Sequence, residues 1–448
     1  MSQENNDSRI TLELKLKATK EQKAAIDQGI RTTRFYRNKG IAFWKNSYKE
    51  GVSINKTKLY TIINKGVFTG PEYDWSPENL NSSARQAAIE RAWASISSFY
   101  RRCRQGAGEK GYPKFLRDSK SIEYKVSGWK LSKDRRSITF TDKLNIGTME
   151  LQGTYNLNHY WESSIKRVRI VRRADGYYVQ FVIAGVSRVL LRNQTHQITA
   201  IDVGLENFYT TDKGETVKCP KFLRQQEKKI KRLHRWLSRT TKKSKNRQKA
   251  KKQLSLAYLK VSRQRKNFAI KLARALATSN DVVVYEDLNI AKMVENSRLA
   301  KSAYDASWRT FLQWLQYYDG ISTFRALEEK CAYSSWECSG CSNLKKKGLS
   351  ERWHHCQHCG LSLHRDHNAA KVMLQRGIRK LRQQNEQVPQ GLRDSWVESS
   401  NKTLHPKTPL DLEPLLLVAA VPSVESSSDE LGIPRLSREE QSIKSSMI

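Results

Sequence analysis

The sequence is short of acid. Its 44 Asp and Glu stand against 81 Lys and Arg, leaving a net charge of +37 over 448 residues. Such an imbalance repels itself and attracts polyanions, so the expected partner is nucleic acid or another anionic surface. Long apolar runs are missing. The longest, Leu415 to Val421, falls well below the roughly 20 residues of a membrane helix, so no membrane partner is expected. The opening residues, MSQENNDSR, have no apolar stretch of the kind found in a secretory signal, and a cytoplasmic or nucleoid location in a bacterial host is the expectation. Cysteine is sparse, seven in all, and four of the seven lie in two CxxC pairs, which argues against a disulfide framework. Proline is thin until the end, with six of ten after residue 384. That tail, 385–448, is rich in serine and carries a net −4, so it is expected to be disordered.

The rest alternates between strand and helix periods. Ile10–Lys17 places Leu12, Leu14 and Leu16 on one face of a strand. Thr19 and Gln22 then have capping-box spacing, and Ile26, Ile30, Ile41 and Trp44 form a helical stripe. A second helix is expected from Ser83 to about Arg102. IKRVRIV and YYVQFVI flank Ala174-Asp175-Gly176, a hairpin signal. ITAIDVGLENFYTT reads as a strand continued past a glycine. Residues 221–266 hold 19 Lys or Arg against one acid, Glu227. Leu223, Ile230, Leu233 and Leu237, then Leu254, Tyr258, Val261, Phe268, Leu272 and Ala275, give two amphipathic helices packed antiparallel, with Arg265 in the one polar slot. DVVVYEDLNI (281–290) reads as a strand covered on both faces, and Ala306–Tyr318 and 365–381 read as helices.

Two groups of residues carry chemistry. Cys338-Ser-Gly-Cys341 and Cys356-Gln-His-Cys359 have zinc-ribbon spacing, with Gly340 and Gly360 suited to the knuckle turns. Four free thiols, or a mixed site using His354, His355 or His358, are the alternatives. The second group is acidic. Asp202 interrupts ITAIDVG, Glu286 closes VVVYE, and Asp366 precedes the helix that begins near Asn368. A charge in an apolar strand is costly unless it is paired or metal-bound. Each acid alone reads first as an ordinary solvated or salt-bridged residue. Together, two strand acids and one at a helix start can converge on a pair of Mg²⁺ ions. Asp287 falls on the opposite face from Glu286 and is given no ligand role.

The phrases AIDVGLENF, VVVYEDLNI and CGLSLHRDHNAAKV resemble the three parts of the RuvC-like nuclease of the TnpB (OrfB) family, the RNA-guided DNA endonucleases encoded by insertion sequences. ATKEQKAAIDQGIRTTRFYRNKGIAFW, GYPKF and PKFLRQQEKKIKRLHRWLSR extend the likeness, which covers roughly 10–384. The resemblance implies a multidomain α/β chain. An N-terminal, wedge-like β-barrel with a helical recognition insertion would occupy 1–195. An RNase H-like (RuvC-like) nuclease would span 196–330, including the basic hairpin 221–276, and resume at 364–384. A zinc-ribbon insertion for target loading would lie at 331–363, and the tail at 385–448. Asp202, Glu286 and Asp366 would bind two catalytic Mg²⁺ ions, and Cys338, Cys341, Cys356 and Cys359 a structural Zn²⁺. The partners implied are a guide RNA from the transposon end and double-stranded DNA with a short adjacent motif. Arg352 stands where the family often has a basic residue near the scissile phosphate. Gln86 is a candidate base reader on the helix from Ser83. In one departure, the family ribbon commonly reads CSxCG, whereas Ser342 follows the pair here.

Base pairing would read the target while the protein holds the heteroduplex by its backbone. The hairpin residues Lys228, Lys229, Lys231, Arg232, Arg235, Lys242 and Lys243 are expected at that surface, since with a single acid in the run they have few intrahelical partners. Tyr36, Trp93, Phe99 and Tyr100 read either as core or as base-stacking groups. Three other readings are a nuclease-inactive, guide-directed repressor, a compact type V CRISPR effector and a transposase proper.

Overall fold

The computed structural model describes residues 9–65, 77–106, 111–184, 194–288, 297–330, 332–348 and 351–383, with Met293, Glu295 and the pair 421–422. It separates into two compact units, Met1–Val186 with Leu416–Ser423, and Ser187–Leu415 with Val424–Ile448. No helix among the described residues is long and apolar enough to cross a membrane.

The first unit is built on an antiparallel sheet. Its order is β2 (Ser121–Tyr124), β6 (Ile165–Arg173), β7 (Gly176–Ile183), β1 (Ile10–Lys17), β5 (Gly147–Gln152), β4 (Ser137–Phe140) and β3 (Trp129–Leu131). Strand β1 is central because its alternation gives it an apolar face: Leu12, Leu14 and Leu16 are at most 4% exposed. It pairs with β7 from Ile10↔Ile183 to Leu16↔Tyr177. Arg173 stands opposite Gly176, so Ala174 and Asp175 form the expected tight turn. Among the described residues the ladders do not close this sheet into the expected barrel. Strands β2 and β3 end the path, and no ladder joins them among the described residues. Strand β3 is three residues long, and the one ladder described for it is with β4. In the tail, Val421 and Pro422 (β15) pair with Thr11 and Ile10; the rest of the tail expectation lies outside the described residues, as does Cys331.

Three helices accompany this sheet. In α1 (Lys20–Lys49) the Thr19 hydroxyl accepts from the Gln22 N–H, and the Gln22 side chain accepts from the Thr19 N–H. This reciprocal cap fixes where the helix starts. It is followed by α2 (Lys56–Lys65) and α3 (Ser82–Arg104). Helices α1 and α3 cross closely at Gly40, where an added Cβ would lie 3.2 Å from that of Ala92. Tyr36 and Phe99 are buried in this packing, and Trp44 donates its indole N–H to the Tyr100 hydroxyl. The core reading therefore holds for Tyr36 and Phe99. Gln86 is half-buried on α3.

Glu123 on β2 locks helix to sheet. Its carboxylate, 5% exposed, contacts Arg91 of α3 at 2.9 Å and Arg167 and Arg169 of β6 at 2.5 and 2.7 Å. Burial opposes its charge, but Arg91, Arg169 and Arg167 overcome that and hold the carboxyl down at about 2.

The second unit carries a mixed five-stranded sheet, ordered β10 (Thr216–Lys218), β9 (Asn207–Thr211), β8 (Ile198–Val203), β11 (Val282–Glu286) and β12 (Arg325–Glu329). Strands β8 to β10 form an antiparallel meander, whereas β11 runs parallel to both β8 and β12. The β8-to-β11 crossover contains α4 (Phe222–Arg239) and α5 (Lys245–Ser279), and α6 (Ser297–Ala306) and α7 (Trp308–Asp319) join β11 to β12. Leu223, Ile230, Leu233, Leu254, Ala257 and Val261 zip α4 and α5 together along the expected stripe.

Two basic residues of this hairpin face inward. Arg265, the polar slot of the stripe, donates to Asp305 of α6 at 2.9 Å, and both are buried. Asp305 also accepts the Leu223 and Arg224 N–H groups, so one carboxylate caps α4 and pairs with α5. Arg247 donates to the Leu237 and Thr240 carbonyls that close α4. Helix α8 (Arg365–Gln383) covers the sheet, and at Gly377 an added Cβ would stand 2.5 Å from Cγ2 of Val284, so only glycine allows this approach.

The Glu123 ion cluster gives the first unit a definite acid response. A carboxyl lowered from 4.5 to about 2 supplies stability above pH about 4.5 that is lost as pH falls toward 2, about 3 kcal/mol in all. Glu123→Gln is expected to lower the thermal midpoint of this unit at pH 7. The gap to the parent should close between pH 4.5 and 2 in a pH series of melting curves; a gap independent of pH would disprove the assignment.

Candidate carboxylate site and cysteine centre

Strand period and register bring the three acids together. Ile198 and Ala200 of β8, with Val282 and Val284 of β11, face α8 and pack on Met373, Ile378 and Leu381. Two residues further along each strand lie Asp202 and Glu286, on the same face. They stand level, because Tyr285 is in register with Ile201. Asp366 lies in the first turn of α8, the helix that covers this face. The turn after β8 is tight here: a Cβ on Gly204 would sit 3.0 Å from the Asn207 carbonyl and 4.0 Å from Oδ2 of Asp366. Asp287 falls on the other side and is exposed; its N–H donates to the Glu329 carbonyl.

The electrostatics follow from this crowding. Burial raises the Asp202 carboxyl well above the usual range, and Glu286 and Asp366 raise it further while Arg365 opposes them. The Asp366 carboxylate lies 3.6 Å from Arg365 Nε and 3.9 Å from His364 Nδ1. A carboxylate so placed beside two others offers oxygen donors of the kind that hard cations take. The first turn of α8 is pinned from the meander side, where the ring Nε2 of His367 meets the Asp212 carbonyl at 2.9 Å. Asp212 is itself buried and accepts from the Thr199 hydroxyl and the Ala200 N–H.

Arg352 is exposed, and its carbonyl accepts the Arg365 N–H at 2.7 Å, one residue from Asp366. Trp353 follows in β13 (Trp353–His355), which pairs with β14 (Ser362–His364) so that Trp353 stands opposite His364. Its ring is 64% exposed and meets that of His364 edge-on at 6.1 Å. Neither Trp353 nor Arg365 is marked by any sequence signal: a tryptophan in a short polar stretch announces no pairing, and Arg365 is one cation among many. The expected hairpin contacts, Lys228, Lys229, Lys231, Arg232, Arg235, Lys242 and Lys243, are all exposed, and Lys231 pairs with Glu227 at 3.0 Å.

The four cysteines of the two CxxC pairs converge. Their sulfurs all lie within 4.8 Å of one another, and Cys338–Cys359 and Cys341–Cys356 are 3.6 Å apart. A tetrahedral ion with sulfur bonds of about 2.3 Å has ligands about 3.8 Å apart, so Zn²⁺ fits the donor set. Backbone N–H groups of Cys359 and His358 prevail over burial and hold the Cys356 thiol down to about 6. Cys341 gains from the Asn343 N–H but is pushed up to about 12 by burial and the neighbouring sulfurs. Four thiols that cannot all ionise together are what a cation would resolve. No histidine joins the group among the described residues; His354 is buried against Lys347, and His355 and His358 are exposed.

The knuckle turns differ in part from expectation. Gly360 is left-handed at φ 72°, but in the first knuckle the left-handed residue is Ser342 at φ 58°, not Gly340. Gly340 serves packing instead: a Cβ there would stand 3.3 Å from the Leu361 side chain and 3.4 Å from the Cys359 sulfur. Asn368 of α8 accepts the Ser339 N–H and donates to the Glu337 carbonyl, which joins this knuckle to the helix that bears Asp366.

Comparison with known proteins gives two family matches. A family model of the OrfB_IS605 type, described as a probable transposase, matches residues 181–297, and one for a Cas12f1-like TNB domain matches 308–373. Among curated relatives named "Putative RNA-guided DNA endonuclease", one from Streptomyces pristinaespiralis is 29% identical over 198 residues, covering 41% of this chain and 46% of that protein. The chain thus spans about half the length of that relative. InsQ of Escherichia coli K12, of the same description, is 21% identical over 366 residues, covering 77% of this chain and 86% of its own. Among solved structures, a Cas12f1–sgRNA–target DNA complex has a TM-score of 0.48 at 12% identity, covering 79% of this chain and 82% of that one. The mini-RNA-guided endonuclease CRISPR-Cas_phi3 has 0.42 at 10%, covering 83% and 92%. Strand order and register, rather than these likenesses, define the fold.

The TNB match encloses all four cysteines. Purified protein is expected to hold about one equivalent of zinc by metal analysis, and Cys356→Ser should lose most of it and lower the melting temperature. Zinc content unchanged by that substitution would refute the cysteine centre.

Proposed function

We propose that this chain, which is similar to the OrfB_IS605 family model over residues 181–297 and to relatives named as RNA-guided DNA endonucleases, is an RNA-guided DNA endonuclease with Asp202, Glu286 and Asp366 as its catalytic carboxylates. The observation that carries this reading is the meeting of these acids at one end of two neighbouring parallel strands and at the start of the helix that covers them. A meander joined to parallel strands, with the acids on the helix-covered face, supports an RNase H-like nuclease core. Two Mg²⁺ ions held by these carboxylates would supply an activated water and a charge clamp on the leaving oxygen of a phosphodiester. Addition of water across the P–O bond would leave a 5′-phosphate and a 3′-hydroxyl.

The chain's own groups have distinct parts in this reaction. Asp202 and Glu286 are fixed by the sheet, so their spacing is set before substrate arrives. Arg365 offsets part of the repulsion at Asp202. Arg352, held to Arg365 through its carbonyl, is suited to meet a phosphate beside Asp366. The guide RNA and target would lie along the exposed lysines and arginines of α4 and the turn after it, with contacts to the nucleic-acid backbone that carry no sequence information. Gln86 on α3 is the candidate reader of the adjacent duplex motif.

Two measurements test the reading. Asp202→Ala is expected to abolish Mg²⁺-dependent plasmid cleavage by the purified ribonucleoprotein while RNA-dependent DNA binding persists; cleavage that survives would overturn it. Replacing Lys228, Lys229 and Arg232 by Gln should weaken binding to all guide sequences alike. The slope of log affinity against log salt should shrink by roughly 0.7–0.9 for each phosphate no longer neutralised. An unaltered slope would remove the hairpin from the interface.

A further inference from the structure

The first unit contains a cavity of about 730 Å³, lined by Gln28, Arg31, Arg34, Phe35, Asn38, Lys39 and Ala42 of α1 and by Phe115. Its wall follows from helix geometry. Gln28, Arg31, Phe35, Asn38 and Ala42 recur at intervals of three and four residues, so they form one stripe. A separate stripe of α1, with Ile26, Ile30, Ile41 and Trp44, is buried.

The opposite rim is a strap, 111–117, that is tied to the helix rather than merely near it. Asn38 donates to the Leu116 carbonyl and accepts the Leu116 N–H, both at 2.9 Å. Arg34 donates to the Arg117 carbonyl at 2.5 Å, and Arg37 to the Lys114 carbonyl at 3.2 Å. Together these hydrogen bonds, spread along the strap, hold the cavity open in the folded chain. They leave Phe115 49% exposed, with the Lys45 ammonium 4.8 Å from its ring centre, and Lys39 lies 5.4 Å from the ring centre of Phe35.

A large apolar ring normally reaches solvent singly and needs no explanation. Here two rings share a preformed cavity with three cations and no acid. The volume lies within the range of small-ligand pockets. Rings offer stacking to the face of a base, and guanidinium and ammonium groups attract phosphate.

From this we infer that the cavity between α1 and the 111–117 strap is a binding site for one unpaired nucleotide of a single strand. The base lies against Phe115 and Phe35, and the phosphate meets Arg31 and Lys39. The site involves none of the three acids and none of the hairpin lysines, so it stands or falls separately from the endonuclease reading.

The test is local photocrosslinking on the full-length protein. The probes are two single-stranded hexanucleotides, one of RNA carrying 5-iodouridine and one of DNA carrying 5-iododeoxyuridine, and adducts are mapped by mass spectrometry. Adducts are expected on the peptides containing Phe35 or Phe115, and their yield should fall about tenfold in Phe115→Ala and in Arg31→Glu. Phe115→Tyr, which keeps the ring, should restore it, and adducts elsewhere should be unchanged, which also controls for folding. Crosslinking by the RNA probe, the DNA probe or both identifies the strand that the site takes. Absence of adducts on both peptides with both probes, or a yield that Phe115→Ala leaves intact, would overturn the inference.

Discussion

Like charges brought together inside a protein must be held there, and the second unit is organised around that cost. Asp202 stands with Glu286 and Asp366 where burial, and then its two acidic neighbours, raise its carboxyl. What opposes the repulsion is rigid. Two strands are hydrogen-bonded in parallel register, a helix lies close enough to the sheet that Gly377 is required, and His367 ties that helix back to the meander. None of these three restraints is made through a carboxylate of the trio.

The chain's cationic excess meets the complementary problem. A helical hairpin with 19 basic residues and one acid has little attraction within itself, and its apolar stripe is narrow. It is fixed by the few acids near it. Asp305 caps α4 while pairing with Arg265 of α5, and Glu227 receives both Lys231 and Lys301. Arg247 closes the far end by binding carbonyls. The exposed cations are thus displayed on a surface whose orientation is set by buried ones, and composition alone cannot distinguish the two kinds.

Local chemistry was legible in the sequence wherever a short-range rule decides the outcome. The capping box at Thr19, the alternation in β1, the Ala174–Asp175 turn and the stripe joining α4 to α5 all follow from spacing. So does the sidedness that separates Glu286 from Asp287. The spacing of the cysteines foretold their convergence, and the resemblance to a family named the three acids that the fold brings together. Long-range pairing was not legible. Closure of the first sheet depends on a ladder between two short strands that no local pattern specifies. The burial of Arg265 depends on an aspartate 40 residues away. Assigning the left-handed turn to Gly340 followed the usual preference for glycine, but the position that needs positive φ is Ser342, where the resembling family commonly has glycine.

The hydrogen bonds of Asn368 have a wider consequence. Its amide grips the backbone on both sides of Cys338, at Ser339 and at Glu337, and Gln375 of the same helix donates to the Ser339 carbonyl. The sulfur centre and the carboxylate centre are therefore consecutive parts of one lever, with α8 as its arm and Asp366 two residues before the fulcrum. Oxidation of the thiols would unseat that fulcrum without touching a carboxylate. Its effect would reach the helix that carries Asp366 through a side chain that is neither a thiol nor an acid.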